Sequence, residues 1–247
     1  MEIGAKIHWI KSCSSTNDLT KELAISGEEE GTVVVSEEQT RGRGTKGRSW
    51  YSPRKKGLYL SLLLYPSQPQ ISLLPLMAGL AANDAIFESA GIRVGLKWPN
   101  DLIWEKKKLG GILCESGFLG NQASYVIVGI GINLDQRRED FPEEIRSLAT
   151  SLKLITKRDI DRKEFLQELC KALNRWYRLF QERRNEEIVR SFQDYSILPL
   201  GERIELLTET EEVLGTYAGI DSKGGLILER EGKRMTFFSG EVRSIKD

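Results

Sequence analysis

The chain has 247 residues, 40% hydrophobic and 29% charged, with Lys+Arg and Asp+Glu both at 36. That length holds one large domain or a large and a small one, and the composition excludes a disordered chain. Balanced charge disfavours a nucleic-acid binder, so any basic patch must be local. His8 is the single histidine, and Cys13, Cys114 and Cys170 stand isolated without a CxxC. Zinc sites built on histidine and Ser-His or Cys-His nucleophile pairs are therefore disfavoured. The scattered thiols read as reduced, cytosolic core filler. The opening MEIGAKIHWIKSC has no apolar core and no small-residue cleavage site, so no signal peptide is expected. The most apolar helical stretch, Ser72 to Ile92, is interrupted by Asn83, Asp84 and Glu88, so no transmembrane helix is expected.

In chain order, Ile7 to Lys11 alternates as a short strand. Ser14-Ser15-Thr16-Asn17 then offers cap side chains for a helix through about Ile25, stopped at Gly27. The β-branched run 32–36 predicts a buried strand, and Gly57 to Tyr65 a second one ended by Pro66. A helix is predicted from Ser72 to Ala90, capped by Gly91. Val94 to Trp98, Leu102 to Trp104, Leu109 to Gly117 and Tyr125 to Leu134 read as strands, the last broken at Gly129 and Gly131. Phe165, Leu169, Ala172, Leu173, Trp176, Leu179 and Phe180 recur at helical spacing from about Asp159 to Arg184, and helix continues over Asn185 to Tyr195. After a linker at 196–201 the pattern changes to short strands with glycine turns: 203–208, 213–220, 225–231, 234–238 and 241–245. That tail predicts a small β-barrel.

Four stretches carry chemistry. In Gln39 to Trp50, GRGTKGRSW follows Gln39 and Arg41. Its glycines let a backbone turn its N–H groups toward an anion, and Arg43, Lys46 and Arg48 add charge, arginine as a planar fork. Trp50 offers a flat face. A solvated turn, a nucleic-acid arm and an anion-binding loop all fit this stretch alone. KWPNDL (97–102) puts an aromatic ring and an amide–carboxylate pair at a strand end, as an ordinary Pro-Asn-Asp turn also would. KLGGIL (108–113) sets Lys108 before two glycines, where Lys108 could equally be the last charge of a solvated run. VGIGIN (128–133) is a strand with two missing side chains and a terminal amide, a pattern shared with bulges.

Taken together and in this order, Ser15-Thr16-Asn17, the Gln39 to Trp50 loop, KWPND, KLGGIL, GIGIN and the terminal barrel resemble the biotin–protein ligases, also called biotin–[acetyl-CoA-carboxylase] ligases. The resemblance spans essentially the whole chain. It is to the short form, without the DNA-binding domain of bifunctional repressor-ligases. It implies an α+β fold: a mixed-sheet catalytic domain of the biotin/lipoate ligase superfamily over 1–197, then an SH3-like β-barrel over 198–247.

The implied activity joins biotin to ATP as biotinoyl-5′-AMP and passes the biotinoyl group to one lysine of a biotin carboxyl carrier domain. A carboxylate must meet an α-phosphate, so catalysis rests on charge neutralisation and alignment. The resemblance assigns biotin to Ser15, Thr16, Asn17, Gln39, Gly42, Arg43, Gly44, Thr45, Lys108, Gly111 and Gly129. Nucleotide falls to Arg48, Trp50, Asn100, Asp101, Lys108 and Asn133, with Trp50 stacking on adenine. Lys108, Arg43 and Asp101 are the catalytic candidates: Lys108 the cation between carboxylate and α-phosphate, Arg43 over both groups, Asp101 a group to position or deprotonate the carrier lysine or help hold a metal. Mg²⁺ is expected with ATP, its ligands unnamed by the sequence. A cytoplasmic enzyme is implied, with a carboxylase carrier domain as partner and neither DNA nor membrane. A homodimer is allowed if the apolar strand 57–65 lies at a sheet edge. One departure stands out: most members carry arginine where Thr45 stands, and Arg41 and Lys46 are its nearest substitutes. The rivals are a lipoate–protein ligase, whose Arg-Arg-x-Ser-Gly-Gly-Gly loop is absent here, and a non-catalytic biotin sensor, disfavoured by the lack of a helix-turn-helix.

Overall fold

The computed structural model describes residues 1–119 and 122–244. Its larger sheet is built from β1 (Ile7–Ile10), β2 (Val33–Ser36), β3 (Gly57–Leu64), β4 (Gly95–Lys97), β5 (Asp101–Trp104), β6 (Lys107–Leu119) and β7 (Gln122–Asn133). The spatial order is β1-β2-β3-β7-β6-β5-β4. β1 and β2 are parallel, joined by the crossover helix α1 (Thr16–Ile25), and the remaining neighbours are antiparallel.

β3 does not lie at an edge. It sits between β2 and β7 with all 8 residues buried, so it offers no free backbone to a second copy. β7 is likewise unbroken at its glycines. Val128, Ile130 and Ile132 alternate into the core, while Gly129 and Gly131 fall on the opposite face and leave the ladder intact. The sheet thus has two unlike faces. One packs under α2 (Leu74–Ala90), α4 (Arg162–Gln181) and α5 (Asn185–Asp194). The other carries α1 and the site.

The helices start where local chemistry directs. Asp161 accepts hydrogen bonds from the Lys163 and Glu164 N–H groups at 2.8 and 2.9 Å, so α4 begins just after it. Arg183, at φ 57°, separates α4 from α5 and breaks the continuous helical reading. A short helix, α3 (Leu152–Thr156), was not expected from the sequence; Ser151 caps it. Ile71–Ala90 is long and apolar enough to cross a membrane by length and composition, and it is mostly buried as the core helix.

The terminal strands β8 (Arg203–Leu207), β9 (Glu212–Ile220), β10 (Leu226–Arg230), β11 (Lys233–Phe237) and β12 (Glu241–Ser244) form a second, antiparallel sheet in the order β11-β10-β9-β8-β12, consistent with an SH3-like barrel. Glu231 and Gly232, at φ 52° and 73°, make the expected hairpin turn. Ile245, read as the end of the last strand, lies outside the described residues. Two hydrogen bonds tie this sheet to the core. Trp98, fully buried rather than displayed at its strand end, donates its indole N–H to the Gly224 carbonyl at 3.0 Å, and the Ser72 hydroxyl donates to the Lys223 carbonyl at 2.6 Å.

Candidate functional site

Register builds the site. Asp101, Gly111, Gly131 and Tyr59 stand opposite one another across β5, β6, β7 and β3, and two residues further on Leu113, Gly129 and Ser61 form the next row on the same face. The glycines leave space there, and the protein's own side chains use part of it. A Cβ at Gly129 would stand 2.4 Å from Asn17 Oδ1, and one at Gly131 would stand 2.5 Å from Trp50 Nε1.

The first turn of α1 enters this space. Thr16 and Asn17 are buried. The Ser61 hydroxyl lies 2.7 Å from Thr16 Oγ1 and 2.5 Å from Asn17 Oδ1. Gln39 Oε1 accepts from the Thr16 N–H at 2.9 Å and its hydroxyl at 3.1 Å, while Gln39 Nε2 donates to Ser52 Oγ at 2.9 Å. Asn17 Nδ2 donates to Glu115 Oε2 at 2.6 Å. The result is an inner slot with these amides and hydroxyls at one end and Leu60, Ile112, Leu113 and Ile130 as apolar wall. Its free volume is small, about 40 Å³, because the surrounding side chains fill much of the space.

The glycine loop is a small hairpin over that mouth. Gly44 N–H donates to the Arg48 carbonyl at 2.7 Å and Trp50 N–H to the Gly42 carbonyl at 2.9 Å, with the turn at Thr45–Gly47. Lys46 and Gly47 are left-handed there, at φ 56° and 70°. Gly42 lines neither compartment; it sits behind the loop, where a Cβ would stand 2.6 Å from the Trp50 carbonyl oxygen. Arg43 lines the slot, and its guanidinium is already forked onto Asp18, at 2.9 and 2.6 Å, with Glu115 at 3.5 Å. Hydrogen bonding from Arg43 holds the Asp18 carboxyl below its ordinary range, and the same contact holds Arg43 firmly cationic. Arg48 is ion-paired with Glu241, and Lys46 Nζ donates to the Leu207 carbonyl at 3.1 Å, so the loop is anchored on the barrel.

Beyond the loop the slot opens into a wider cleft of about 630 Å³. It is lined by the loop, the 97–101 turn and, from the barrel, Phe238 to Val242. Thr45, Trp50, Asn100 and Lys108 line both compartments and so mark the junction. Lys108 is held there by its backbone: its N–H donates to the Leu148 carbonyl at 2.8 Å and its carbonyl accepts from Thr150 N–H at 3.0 Å. Its ammonium lies 2.7 Å from Asp101 Oδ1 and 5.5 Å from the Trp50 ring centroid. Lys106 and Lys107, by contrast, are exposed.

The fold brings together Ser15, Thr16, Asn17, Gln39, Arg43, Gly44, Thr45, Lys108, Gly111 and Gly129 around the slot, and Arg48, Trp50, Asn100, Asp101 and Asn133 around the cleft. Several are engaged within the protein. Asn100 Nδ2 donates to the Ile112 carbonyl at 2.8 Å. Asn133 Nδ2 donates to the Thr150 carbonyl at 2.9 Å, and its Oδ1 accepts from Gln136 at 2.8 Å. Sequence reasoning missed Ser61, Glu115 and Asp18; Ser61 had a signal, as the lone hydroxyl inside GLYLSLLL. Nothing here suits covalent catalysis by a thiol: Cys114 lines the cleft, but burial pushes its thiol up to about 12. His8 lines neither compartment. The described residues include no group of three potential metal-ligating side chains. The arrangement is one of fixed cations at the meeting of a narrow slot and a broad cleft.

Residues 9–133 match the Biotin/lipoate A/B protein ligase family, and residues 200–243 match the Biotin protein ligase C terminal domain. The chain is 35% identical to the bifunctional ligase/repressor BirA of Bacillus subtilis strain 168, over 93% of this chain and 71% of that one. It is 31% identical to the biotin–[acetyl-CoA-carboxylase] ligase of Mycobacterium tuberculosis, over 97% of this chain and 91% of that one. Among solved structures it is similar to the biotin protein ligase of Aquifex aeolicus in complex with biotin and ATP, at 35% identity and TM-score 0.85, covering 98% of this chain and 100% of that one.

Proposed function

The chain belongs to the biotin/lipoate A/B protein ligase family, and we infer that it is a biotin–protein ligase, activating biotin with ATP as biotinoyl-5′-AMP and transferring it to a lysine of a biotin carboxyl carrier domain. The observation that carries this reading is Lys108, an ammonium fixed at the junction of a small slot and a large cleft. In the slot, the ureido ring of biotin meets Ser15, Thr16, Asn17 and Gln39; Ser61 orients Thr16 and Asn17, and Ser52 orients Gln39. The acid chain then points its carboxylate at Lys108 and Arg43. The nucleotide occupies the cleft with adenine against Trp50, near Asn100 and Asn133, and Arg48 turned from Glu241 toward phosphate.

The two substrates are anions, so the barrier is repulsion and misalignment. A biotin carboxylate oxygen attacks the α-phosphorus, the bond to the bridging oxygen breaks, and pyrophosphate leaves. Lys108 neutralises the charge where carboxylate and phosphate meet, and Arg43 holds the pair in line. The carrier lysine then attacks the acyl carbon, AMP leaves with the electron pair, and Asp101 accepts the amine's proton or orients it. Asp101 is paired with Lys108; two substrate anions outcompete that one carboxylate and leave Asp101 for the incoming lysine. Mg²⁺ enters as part of the ATP substrate, held by phosphates and water, which suits a site whose described residues have no carboxylate cage. The catalytic unit is taken as 1–197 and the barrel as 198–247. The reading carries a cytoplasmic location, where ATP and carrier domains are found.

Incubation with ATP, biotin and the unmodified carrier domain of a biotin-dependent carboxylase should give biotin on one carrier lysine, located by mass spectrometry. Transfer of lipoate in preference to biotin would reassign the chain to the lipoyl branch of its family. Release of AMP without any carrier modification would contradict the second step.

A further inference from the structure

We propose that Asp18 is the positioning residue for Arg43, aiming the loop's arginine at the reacting anions from the same helix turn that holds biotin. This rests on the ligase reading above. Asp18 is at the third position of α1, after the N-cap Ser15, where an acid ordinarily reaches back to its own helix end. Here it does so only through a long 3.5 Å contact in which Asp18 Oδ2 accepts from the Ser14 hydroxyl. The N-cap Ser15 side chain makes no cap hydrogen bond, Gln39 accepts from the first N–H of the helix, and both Asp18 oxygens accept from Arg43, Oδ2 from Nη1 at 2.9 Å and Oδ1 from Nη2 at 2.6 Å. A fork of that kind fixes the plane of the guanidinium as well as its position. It occupies one edge of a group with five donors and leaves Nε–H and the remaining hydrogens for a ligand.

Geometry separates the two roles. Arg43 lines the inner slot and Asp18 lines neither compartment, so Asp18 acts through Arg43 and not on substrate. Thr16 and Asn17, two and one residues earlier, turn inward to Gln39, Ser61 and Glu115. One helical turn therefore fixes both the pocket amide and the loop cation, locking their relative placement. At its far end the same loop is held by Arg48 on Glu241. Glu115 Oε1, 3.5 Å from Arg43 Nη2, is a second and weaker partner.

The test is a double-mutant cycle on biotin-dependent ATP–pyrophosphate exchange with wild type, Asp18→Ala, Arg43→Ala and the double variant. Loss of the fork should lower kcat about tenfold, with Glu115 keeping some hold on Arg43. The KM for ATP should change less than about threefold, because Asp18 touches no part of the nucleotide. In the Arg43→Ala background, Asp18→Ala should add less than about a twofold loss. Asp18→Glu should recover part of the rate. Melting temperatures should stay close to wild type, since both side chains are over a third exposed, 37% and 39%. An equal loss in both backgrounds, or no loss from Asp18→Ala while Arg43 is intact, overturns the proposal. If Asp18→Ala fails to fold, the same cycle is run with Asp18→Asn, which keeps the shape and loses the charge. A wild-type protein without biotin-dependent exchange would instead refute the ligase reading.

Discussion

Lys108 is the cation on which the proposed adenylation most depends, and its neighbours make it testable. Replacing it with alanine leaves carboxylate and phosphate facing each other in a partly dry site. Loss of a contact worth ~2–4 kcal/mol slows adenylation roughly 30- to 1000-fold. Lys106→Ala and Lys107→Ala should each change the rate less than about threefold, because both lysines are exposed. Equal effects at all three would mean the run acts only as a diffuse basic surface. Thr45 is the second residue of interest. It lines slot and cleft together, where the family's usual arginine could reach both ends of the adenylate. Lys46, one of the two expected substitutes, is directed to the Leu207 carbonyl at 3.1 Å, in a left-handed residue at φ 56°. Thr45→Arg should therefore slow escape of preformed biotinoyl-AMP about tenfold. A dissociation rate measured without carrier reads this directly. An unchanged rate would mean the anion is already held, and a faster one that Thr45 packs inward.

At the scale of elements, β7 does two jobs through alternation. Its branched residues fill the core, and Gly129 and Gly131 make room on the site face for Asn17 and Trp50. Gly129→Ala puts a methyl 2.4 Å from Asn17 Oδ1, and the amide must move. Overpacking of this kind costs about 1–3 kcal/mol of stability. Loss of one pocket hydrogen bond should raise the KM for biotin about tenfold with a smaller change in kcat. A raised KM for ATP with biotin unaffected would contradict the placement of biotin beside Asn17. Much of this element structure was legible. The β-branched run at 33–36, the helix ending at Gly91 and the glycine turns of the barrel announce themselves through local period and turn chemistry. Gly129 and Gly131 were misread as breaks because their purpose depends on side chains from α1 and the loop, which no local window contains. The same holds for the occupied donors. Arg43 finds Asp18, 25 positions away, and Arg48 finds Glu241, 193 positions away. Sequence chemistry named the cations, and only the fold names their carboxylates. β3 was misjudged as a candidate edge because an apolar run reads the same at an edge and at the centre of a sheet.

At the scale of the whole molecule, the barrel is part of the site. Trp98 and Ser72 tie it to the core, Arg48 and Lys46 tie the glycine loop to it, and Phe238 to Val242 line the cleft. The Glu241 carboxyl lies below its ordinary value of 4.5: burial pushes it up, and the Arg48 ion pair, with Arg243 and Lys97 nearby, pulls it further down. A carboxyl depressed in the folded state contributes stability above its ordinary value and loses it as pH falls through the depressed value. Glu241→Gln should therefore cost about 0.5 kcal/mol near neutral pH, a small figure because Arg48 is largely exposed, and the difference from wild type should vanish in acid. A melting-temperature difference that persists in acid would show that the glutamate stabilises by packing and not by charge. In the proposed reaction this arrangement lets a biotin carboxylate approach an α-phosphate. Biotin-dependent ATP–pyrophosphate exchange on the purified chain, without carrier, tests it most directly. Exchange should require biotin, be absent with lipoate and fall with Lys108→Ala; exchange supported by lipoate alone, or none with biotin, would refute the ligase reading.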